Sequence, residues 1–269
     1  MYRVVPEQVA QLKPFFTVRP PANAPMLQAF LEHRAPGHAF VNDVRAPTAC
    51  VVAMHHRFVF FGGDVSGHFY ESALRELRLT QALYVVAPQR GVRLPRRPVP
   101  DDEIHRVEFY RRIDPGRSRV RAIQRASASL GEVRRIDSAL FGRCVWRDEI
   151  VRLLGSAEEF LMHGIGYAML VDGRIASEAY GCLWTRDRVE LATITHAEYR
   201  GRGYATAVCA HLIDTCEAVG FETYWSCDAQ NETSLRLAVK LGYDEPRDYR
   251  LLCFDRASVP APVLASSMS

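Results

Sequence analysis

Residues 196–206 combine glycines, arginines and the start of an amphipathic helix, which is a pattern that suits phosphate binding. They read HAEYRGRGYAT. Glycine lets the backbone turn tightly, and the free N–H groups of a helix's first turn carry the positive end of the helix dipole. Such a turn binds phosphates. Neither GxGxxG nor GxxxxGK[ST] is present, and a bare RGRG is also compatible with a solvated loop or an RNA contact.

The elements around this turn are predicted from periodicity. A strand over residues 189–195 precedes it and a helix over residues 204–219 follows it, with apolar residues at three- and four-residue spacing. Upstream, helices are predicted over residues 146–154 and 157–161. Strands over residues 165–171 and 175–183 flank Asp172-Gly173, a hairpin signal. Downstream, we expect a strand (221–227), a helix (232–241) stopped by Gly242 and a last strand (249–254).

The first part of the chain is predicted to be α/β without a recognisable chemical motif. Strands are expected over residues 40–44, 49–53, 58–61 and 82–87, with a helix over residues 72–79. His55-His56 and Gly62-Gly63 are more typical of turns than of metal or phosphate sites. Residues 114–129 are polar, arginine-rich and contain Pro and Gly, which favours a linker. We therefore expect domains over residues 1–120 and 121–255, and a tail over residues 256–269.

The composition is that of a globular protein. The chain has 269 residues, of which 48% are hydrophobic and 24% charged, so collagen-like, fibrous and largely disordered classes are excluded. No apolar stretch approaches the roughly 20 residues of a membrane span, and no secretory signal is visible. Seven cysteines lack zinc-ligand spacing. A cytoplasmic protein with reduced thiols and no metal is predicted.

Three ordered motifs resemble the GCN5-related N-acetyltransferase (GNAT) family. Arg200-x-x-Gly203-x-Ala205 resembles its acyl-CoA signature, [RQ]-x-x-G-x-[GA], and residues 190–195 resemble its fourth strand. Asn231-x-x-Ser234, followed by KLGY at residues 240–243, resembles its N-x-x-[AS] … K-x-G-[FY] helix. The resemblance covers residues 128–255. Residues 135–137, 160–167 and 195–205 are most similar to the branch that includes zwittermicin-resistance acetyltransferases.

The resemblance implies a mixed, mostly antiparallel sheet flanked by helices, preceded by a smaller α/β domain, and acetyl-CoA as cosubstrate. The pyrophosphate would bind the turn, with charge from Arg200 and Arg202, and the pantetheine arm would bind strand backbone where the fourth and fifth strands splay. Asn231 would meet the pantetheine or act only as a helix N-cap. The cofactor-binding residues implied are Ile194, Thr195, Arg200, Gly201, Arg202, Gly203, Tyr204, Ala205, Thr206, Asn231 and Ser234.

Acetyl transfer to an amine needs a base, a partner for the developing oxyanion and a proton for the departing thiolate. Glu190, at the start of the strand that flanks the acyl group, is the base that the resemblance implies, and Asp228 is held in reserve. Ala238 stands where many family members carry the tyrosine that protonates the sulfur. Ser234, Tyr243 and water remain open as proton donors, and Cys227 is expected to be a buried thiol rather than a nucleophile.

The function implied is direct acetylation of a primary amine of a small molecule, a metabolite or an antibiotic, by a monomer or homodimer. The first domain would form one side of the acceptor pocket in the cleft. It is itself expected to be a degenerate relative of the second domain. The alternative is a non-catalytic acyl-CoA-binding or sensing module with a nucleic-acid or protein partner. Its arginines at positions 111, 112, 117, 119, 121 and 125 lack interleaved aromatics, which favours a solvated linker and makes nucleic acid an unlikely partner.

Overall fold

The computed structural model describes residues 1–17, 20–87 and 94–257, over which one mixed 12-stranded sheet forms. The strands are β1 (Tyr2–Arg3), β2 (Gly37–Val41), β3 (Ala49–Met54), β4 (Phe58–Gly63), β5 (Leu83–Val86), β6 (Asp102–Arg111), β7 (Glu132–Arg135), β8 (Gly166–Val171), β9 (Arg174–Trp184), β10 (Arg188–Thr195), β11 (Glu222–Asp228) and β12 (Asp244–Phe254). The helices are α1 (Pro14–Thr17), α2 (Ala24–Leu31), α3 (Gly67–Leu77), α4 (Ser118–Ser127), α5 (Ser138–Phe141), α6 (Arg147–Leu154), α7 (Ala157–His163), α8 (Tyr204–Ala218) and α9 (Glu232–Leu241).

The sheet is mostly antiparallel, as the sequence predicts. Its order is β1-β2-β3-β4-β5-β12-β6-β11-β10-β9-β8-β7. Among the described strands, β4 pairs with β5 and β10 with β11 in parallel, and the other pairs are antiparallel. The hairpin predicted at Asp172-Gly173 joins β8 to β9, and both turn residues have positive φ (49° and 75°). The predicted mixed sheet is therefore confirmed.

The first half of the chain (residues 1–116) and the second half (residues 117–269) exchange strands at the centre of the sheet. Strand β6, from the first half, lies between β11 and β12, and β12, the last strand, lies between β5 and β6. Val107 and Phe109 of β6 enter the same apolar core as α8, whereas Arg106 and Glu108 alternate onto the opposite face. The chain therefore builds one continuous sheet in which each half is completed by the other.

Each half repeats the same local order of elements. In the first half, an antiparallel β2-β3-β4 meander leads through α3 to β5, which is parallel to β4. In the second, β8-β9-β10 leads through α8 to β11, which is parallel to β10. The end of β4 is closely packed, because a Cβ at Gly62 would lie 2.6 Å from Phe16 and one at Gly63 would collide with the carbonyl of Thr48.

The arginine-rich stretch after β6 is not the solvated linker that its composition favours. Residues 118–127 form α4, which packs against α8 and buries Val120 completely. Arg111 is buried too, where its Nε donates to Glu217 Oε1 at 2.8 Å and its Nη1 donates to the carbonyl of Leu241 at 3.0 Å. The division expected near residue 120 thus falls inside a helix, and most of the expected tail lies outside the described residues.

Strands β1, β6 and β7 and helices α1, α2, α4 and α5 were not predicted, and β12 begins at Asp244 rather than at residue 249. Helix α9 has the predicted bounds, and α8 ends one residue before the predicted end. No helix in the described part of the chain is both long and apolar enough to cross a membrane.

Candidate functional site

A cleft opens in the sheet where β10 and β11 separate. The two parallel strands pair at Arg188↔Glu222, Val189↔Thr223 and Glu190↔Tyr224, and at no later described position. Beyond Glu190, β10 continues to Thr195 paired with β9, and β11 continues to Asp228 paired with β6. Residues 192–195 are accordingly half-buried, whereas residues 189–191 are buried. One edge of β10 is left free for an extended ligand.

A β-bulge marks the point of separation. The β9–β10 register shifts between Glu190, which faces Leu183, and Leu191, which faces Gly181, so Cys182 has no partner residue. A bulge bends its strand and increases the local twist. The splay that the resemblance implies is thus present, and it begins after Glu190.

The glycine turn after β10 is open at the start of α8. Gly201 and Gly203 have φ of 76° and 83°, a region that favours glycine. A Cβ at Gly201 would meet nothing within 4 Å, and one at Gly203 would meet only Leu130, at 3.6 Å. Within the described chain, the amides of residues 201–206 donate to no acceptor. Free amides, open space and the helix dipole therefore converge on one spot, which suits a phosphate group.

The two arginines of the turn have different roles in this structure. Arg200 Nε donates to the carbonyl of Thr195 at 3.3 Å, which ties the turn to the end of β10. The Arg202 guanidinium lies 5.9 Å from the ring centroid of Tyr199 and is exposed. Both are close enough in sequence to the open amides to add positive charge there.

The end of β10 is held on its outer side by hydroxyl groups. Ser177 Oγ donates to the carbonyl of Ile194 at 3.0 Å and lies 2.9 Å from Thr195 Oγ1. Since the serine proton is used on Ile194, Thr195 is the donor in the second bond. These contacts fix Ile194 and Thr195 from β9 and leave the edge facing β11 free.

Helix α9 begins across the cleft with an N-cap. Asn231 Oδ1 accepts from the amide of Ser234 at 3.1 Å, so the capping role is confirmed. Ser234 Oγ accepts from Trp225 Nε1 at 3.1 Å. The asparagine amide nitrogen is not used in the cap and stays available for a ligand.

Glu190 lies at the base of the cleft and is buried, with 8% of its surface exposed. Its Oε2 accepts no hydrogen bond from the residues that the structure describes. Burial raises the pKa of Glu190 to about 7; Arg106 acts in the opposite direction, and Glu108 raises the pKa further. A carboxylate with this pKa can accept and release a proton near neutral pH.

The remaining candidates from the sequence are less suited to the chemistry. Asp228 Oδ1 accepts from the amide of Gln230 in the turn before α9, at 2.8 Å. Burial raises the pKa of Cys227, which keeps the thiol neutral. Tyr243 is buried in the core on the α8 side, and burial raises the pKa of its hydroxyl. His56 Nε2 lies 3.2 Å from Met26 Sδ, and no metal-ligand cluster forms among the described residues.

Comparison with known proteins decides the family. The profile of the family described as GNAT acetyltransferase matches residues 16–252. The chain belongs to the GNAT acetyltransferase family. The match extends well into the first half, beyond the residues that carry the sequence resemblance.

Individual GNAT relatives agree with this assignment. The uncharacterized N-acetyltransferase YdfB of Bacillus subtilis is 33% identical over 96 residues, which are 36% of this chain and 37% of that protein. A GCN5-related N-acetyltransferase-like protein of Streptococcus suis superposes with a TM-score of 0.64 at 21% identity, covering 91% of this chain and 98% of its own. A tandem GNAT protein from the clavulanic acid biosynthesis pathway has a TM-score of 0.56 at 12% identity, covering 96% and 98%. The latter two likenesses concern the fold.

A polar network on the Glu190 face of this GNAT chain was missed by the sequence analysis. Arg106 Nε donates to Tyr249 Oη at 3.2 Å, and its Nη2 donates to Ser226 Oγ at 3.0 Å; the two hydroxyls lie 2.8 Å apart. Glu108 Oε2 accepts from Tyr224 Oη at 2.6 Å and from the amide of Asn23 at 2.7 Å. The available signal was the alternation of polar residues with Val107 and Phe109, which is typical of a strand.

The first half covers the face that carries Glu190. Leu183, the cross-strand neighbour of Glu190, packs in the apolar core that contains Met26, Leu27 and Phe30 of α2. A cavity of about 1170 Å³ lies between the halves at the base of the sheet, lined by residues that include Phe30, His38, His163 and Trp184. Trp184 is the cross-strand neighbour of Val189 and packs with it on the α8 side of the sheet, so the cavity lies on the face opposite Glu190.

Proposed function

We propose that this GNAT chain binds acetyl-CoA in the β10–β11 cleft and transfers the acetyl group to a primary amine of a small molecule, with Glu190 as the general base. The observation that carries the proposal is the combination, in one cleft, of an open glycine turn with a buried carboxylate at the base, one oxygen of which has no partner among the described residues. A binding module would need only the first of these.

Acetyl-CoA fits the residues that are present. The amides of residues 201–206 would hold the pyrophosphate, with Arg200 and Arg202 adding charge, and the free edge of β10 at Ile194 and Thr195 would bind the pantetheine amides. Asn231 would donate its side-chain amide to the same arm. When bound, acetyl-CoA supplies an activated acyl group, which spares the protein a covalent intermediate.

Glu190 would take a proton from the bound ammonium, and the neutral amine that results can attack the acyl carbon. In an apolar surrounding the charged carboxylate lacks solvation, which makes it a stronger proton acceptor than an exposed glutamate. Arg106 provides a compensating positive charge, so that a substantial fraction of the carboxyl is ionised at neutral pH. The two opposing influences set the pKa of Glu190 near the pH at which a base is most useful.

The closed acceptor face favours a small molecule over a protein amine. Helix α2 covers the sheet beside Glu190 and keeps a bulky acceptor away from that face. This agrees with the resemblance to the zwittermicin-resistance branch, from which we infer an amine-bearing metabolite or antibiotic as acceptor. The likeness to YdfB covers 37% of that protein's length, so the acceptor is identified by direct assay.

Calorimetry with acetyl-CoA, followed by a panel of amines assayed for free thiol release, tests the proposal. We expect micromolar binding of acetyl-CoA and amine-dependent release of CoA. Binding without thiol release for any amine would favour the acyl-CoA sensing module, and absence of binding would overturn both assignments.

A further inference from the structure

The proposed transfer leaves a thiolate that needs a proton, and Ala238 occupies the position where the family motif predicts a tyrosine. We propose that Ser226 is the proton donor to the leaving sulfur, that Tyr249 restores the serine proton, and that Arg106 fixes the direction of this transfer. This inference rests on the proposed function. The three residues come from β11, β12 and β6, so the donor is assembled from both halves of the chain.

We call Arg106, Tyr249 and Ser226 the relay, and the donors and acceptors of their hydrogen bonds set the direction in which a proton moves. Arginine only donates, and Arg106 donates to both hydroxyls, at 3.2 Å to Tyr249 and 3.0 Å to Ser226. Neither hydroxyl can return a proton to it. The 2.8 Å bond between the hydroxyls uses one of their two protons, and the other must point away from the guanidinium.

Exposure decides which hydroxyl keeps the free proton. Tyr249 is buried, with 5% of its surface exposed, and packs in the core of the first half. Ser226 is half-buried and lies two residues beyond Tyr224, on the part of β11 that no longer pairs with β10. Tyr249 therefore donates to Ser226, and the Ser226 proton is free to point into the cleft.

Several charged and titratable groups surround the relay, and the Tyr249 hydroxyl stays protonated among them. Burial raises the pKa of Tyr249, against the effect of Arg106, so the phenol is protonated at neutral pH. On the same face, Glu190 projects from β10, Glu108 from β6, Tyr224 from β11 and Arg247 from β12. Asp228, opposite Arg106, is the remaining acid of β11 at this end.

The proton count balances over one turnover. The bound ammonium first gives one proton to Glu190, which releases it to solvent, and Glu190 then takes a second proton from the nitrogen as the carbon–nitrogen bond forms. Ser226 gives one proton to the sulfur as the carbon–sulfur bond breaks and its electron pair stays on sulfur, and Tyr249 gives its proton to Ser226. Arg106 then faces a phenolate, which regains a proton from solvent as Glu190 loses its own, so the protein returns to its starting state.

The test measures the thiol pKa of bound CoA, from thiolate absorbance during a pH titration, in the full-length wild type and in Ser226→Ala and Tyr249→Phe. A free thiol titrates near about 8.5. A hydrogen bond from Ser226 to the sulfur stabilises the thiolate, so we expect a lower pKa in the wild-type complex and a rise of about one pKa unit, or tenfold in thiolate fraction, in Ser226→Ala. Tyr249→Phe should shift it in the same direction by less.

Two comparisons separate this role from a structural one. Desulfo-CoA, which lacks the sulfur, should bind the wild type and both variants with equal affinity within about twofold, whereas a collapsed cleft would weaken it. Tyr243→Phe removes a tyrosine hydroxyl on the other face of the sheet and should leave the thiol pKa unchanged.

Each contrary result has a separate meaning. A thiol pKa that is the same in Ser226→Ala as in the wild type, with CoA still bound, overturns the relay and leaves the proposed function standing. A changed thiol pKa in Tyr243→Phe also overturns the relay. So does a loss of desulfo-CoA affinity in Ser226→Ala that is as large as its loss of CoA affinity. Failure of the wild type to bind CoA removes the proposed function, and the relay with it.

Discussion

Glu190 of β10 and Tyr224 of β11 are the last cross-strand pair that these parallel strands form. The same pair therefore ends the sheet hydrogen bonding and opens the cleft. Tyr224 directs its hydroxyl to Glu108, at 2.6 Å, and leaves one oxygen of Glu190 without a partner in the described chain. The proposed proton transfer to Glu190 therefore takes place at the base of the cleft.

Gly203→Glu should abolish acetyl-CoA binding while the fold persists. The side chain would enter the open space before α8 and place a carboxylate where the pyrophosphate is expected, so the affinity should fall at least about 100-fold. Gly173→Glu is the matched control, because Gly173 also has a positive φ (75°) and open surroundings, but lies in the β8–β9 turn. Both should lose about 1–2 kcal/mol of stability, and calorimetry should distinguish them. Equal acetyl-CoA affinity in the two variants contradicts the phosphate turn.

Glu190→Gln should lower turnover by about 10²- to 10⁴-fold without changing acetyl-CoA affinity. The wild-type rate should rise with pH through about 7, since Glu190 accepts a proton only when ionised, and then level off. The variant should lack this rise. A pH–rate profile with an acceptor from the amine panel is the measurement, and an unchanged profile would remove Glu190 from the mechanism.

The same substitution should change the pH dependence of stability. The folded-state pKa of Glu190 is about 7, above its ordinary value of 4.5, so the folded protein binds more protons than the unfolded chain between these pH values. Stability conferred by the neutral carboxyl is therefore lost as pH rises through this window. Glu190→Gln should be more stable than the wild type by about 1–3 kcal/mol at pH 8 and similar to it at pH 4. Denaturant titrations at both pH values would test this, and an equal difference at both contradicts the raised pKa.

Two substitutions at Asn231 separate its capping role from ligand binding. Asn231→Asp keeps a good N-cap for α9 and should change stability by less than about 0.5 kcal/mol, whereas Asn231→Ala should cost about 1 kcal/mol. Both lose the side-chain amide that is proposed to donate to the pantetheine, so both should bind acetyl-CoA about 5- to 10-fold more weakly. Full affinity in Asn231→Asp would show that the residue is only a cap.

Separated halves should fold only together. A fragment of residues 1–116 would carry β6 without β11 and β12, and a fragment of residues 117–269 would lack the strand between them. Expressed alone, each should expose unpaired strand edges and aggregate; expressed together, they should form a one-to-one complex that is recovered by gel filtration. A monomeric, cooperatively folding C-terminal fragment would show that the exchange of β6 and β12 is dispensable.

Local signals in the sequence determined the elements of the second half from α6 onward. The Asp172-Gly173 turn, the glycines before α8 and the Asn231 cap act within a few residues of their own position, so their effects can be inferred from the sequence around them. The GNAT motifs sit on these same local features, which is why the motif order sufficed to predict the fold and the place of the cleft.

Tertiary structure alone decided what completes the site. Arg106 is 120 residues from Ser226 along the chain, and Asn23 is 85 residues from Glu108, yet each pair is hydrogen-bonded. The polar stretch after β6 likewise became α4 because Val120 could be buried against α8, a contact that composition does not reveal. Strand pairing and burial depend on which distant segments meet, and it is this meeting that leaves Glu190 in an apolar surrounding and gives its carboxyl a pKa of about 7.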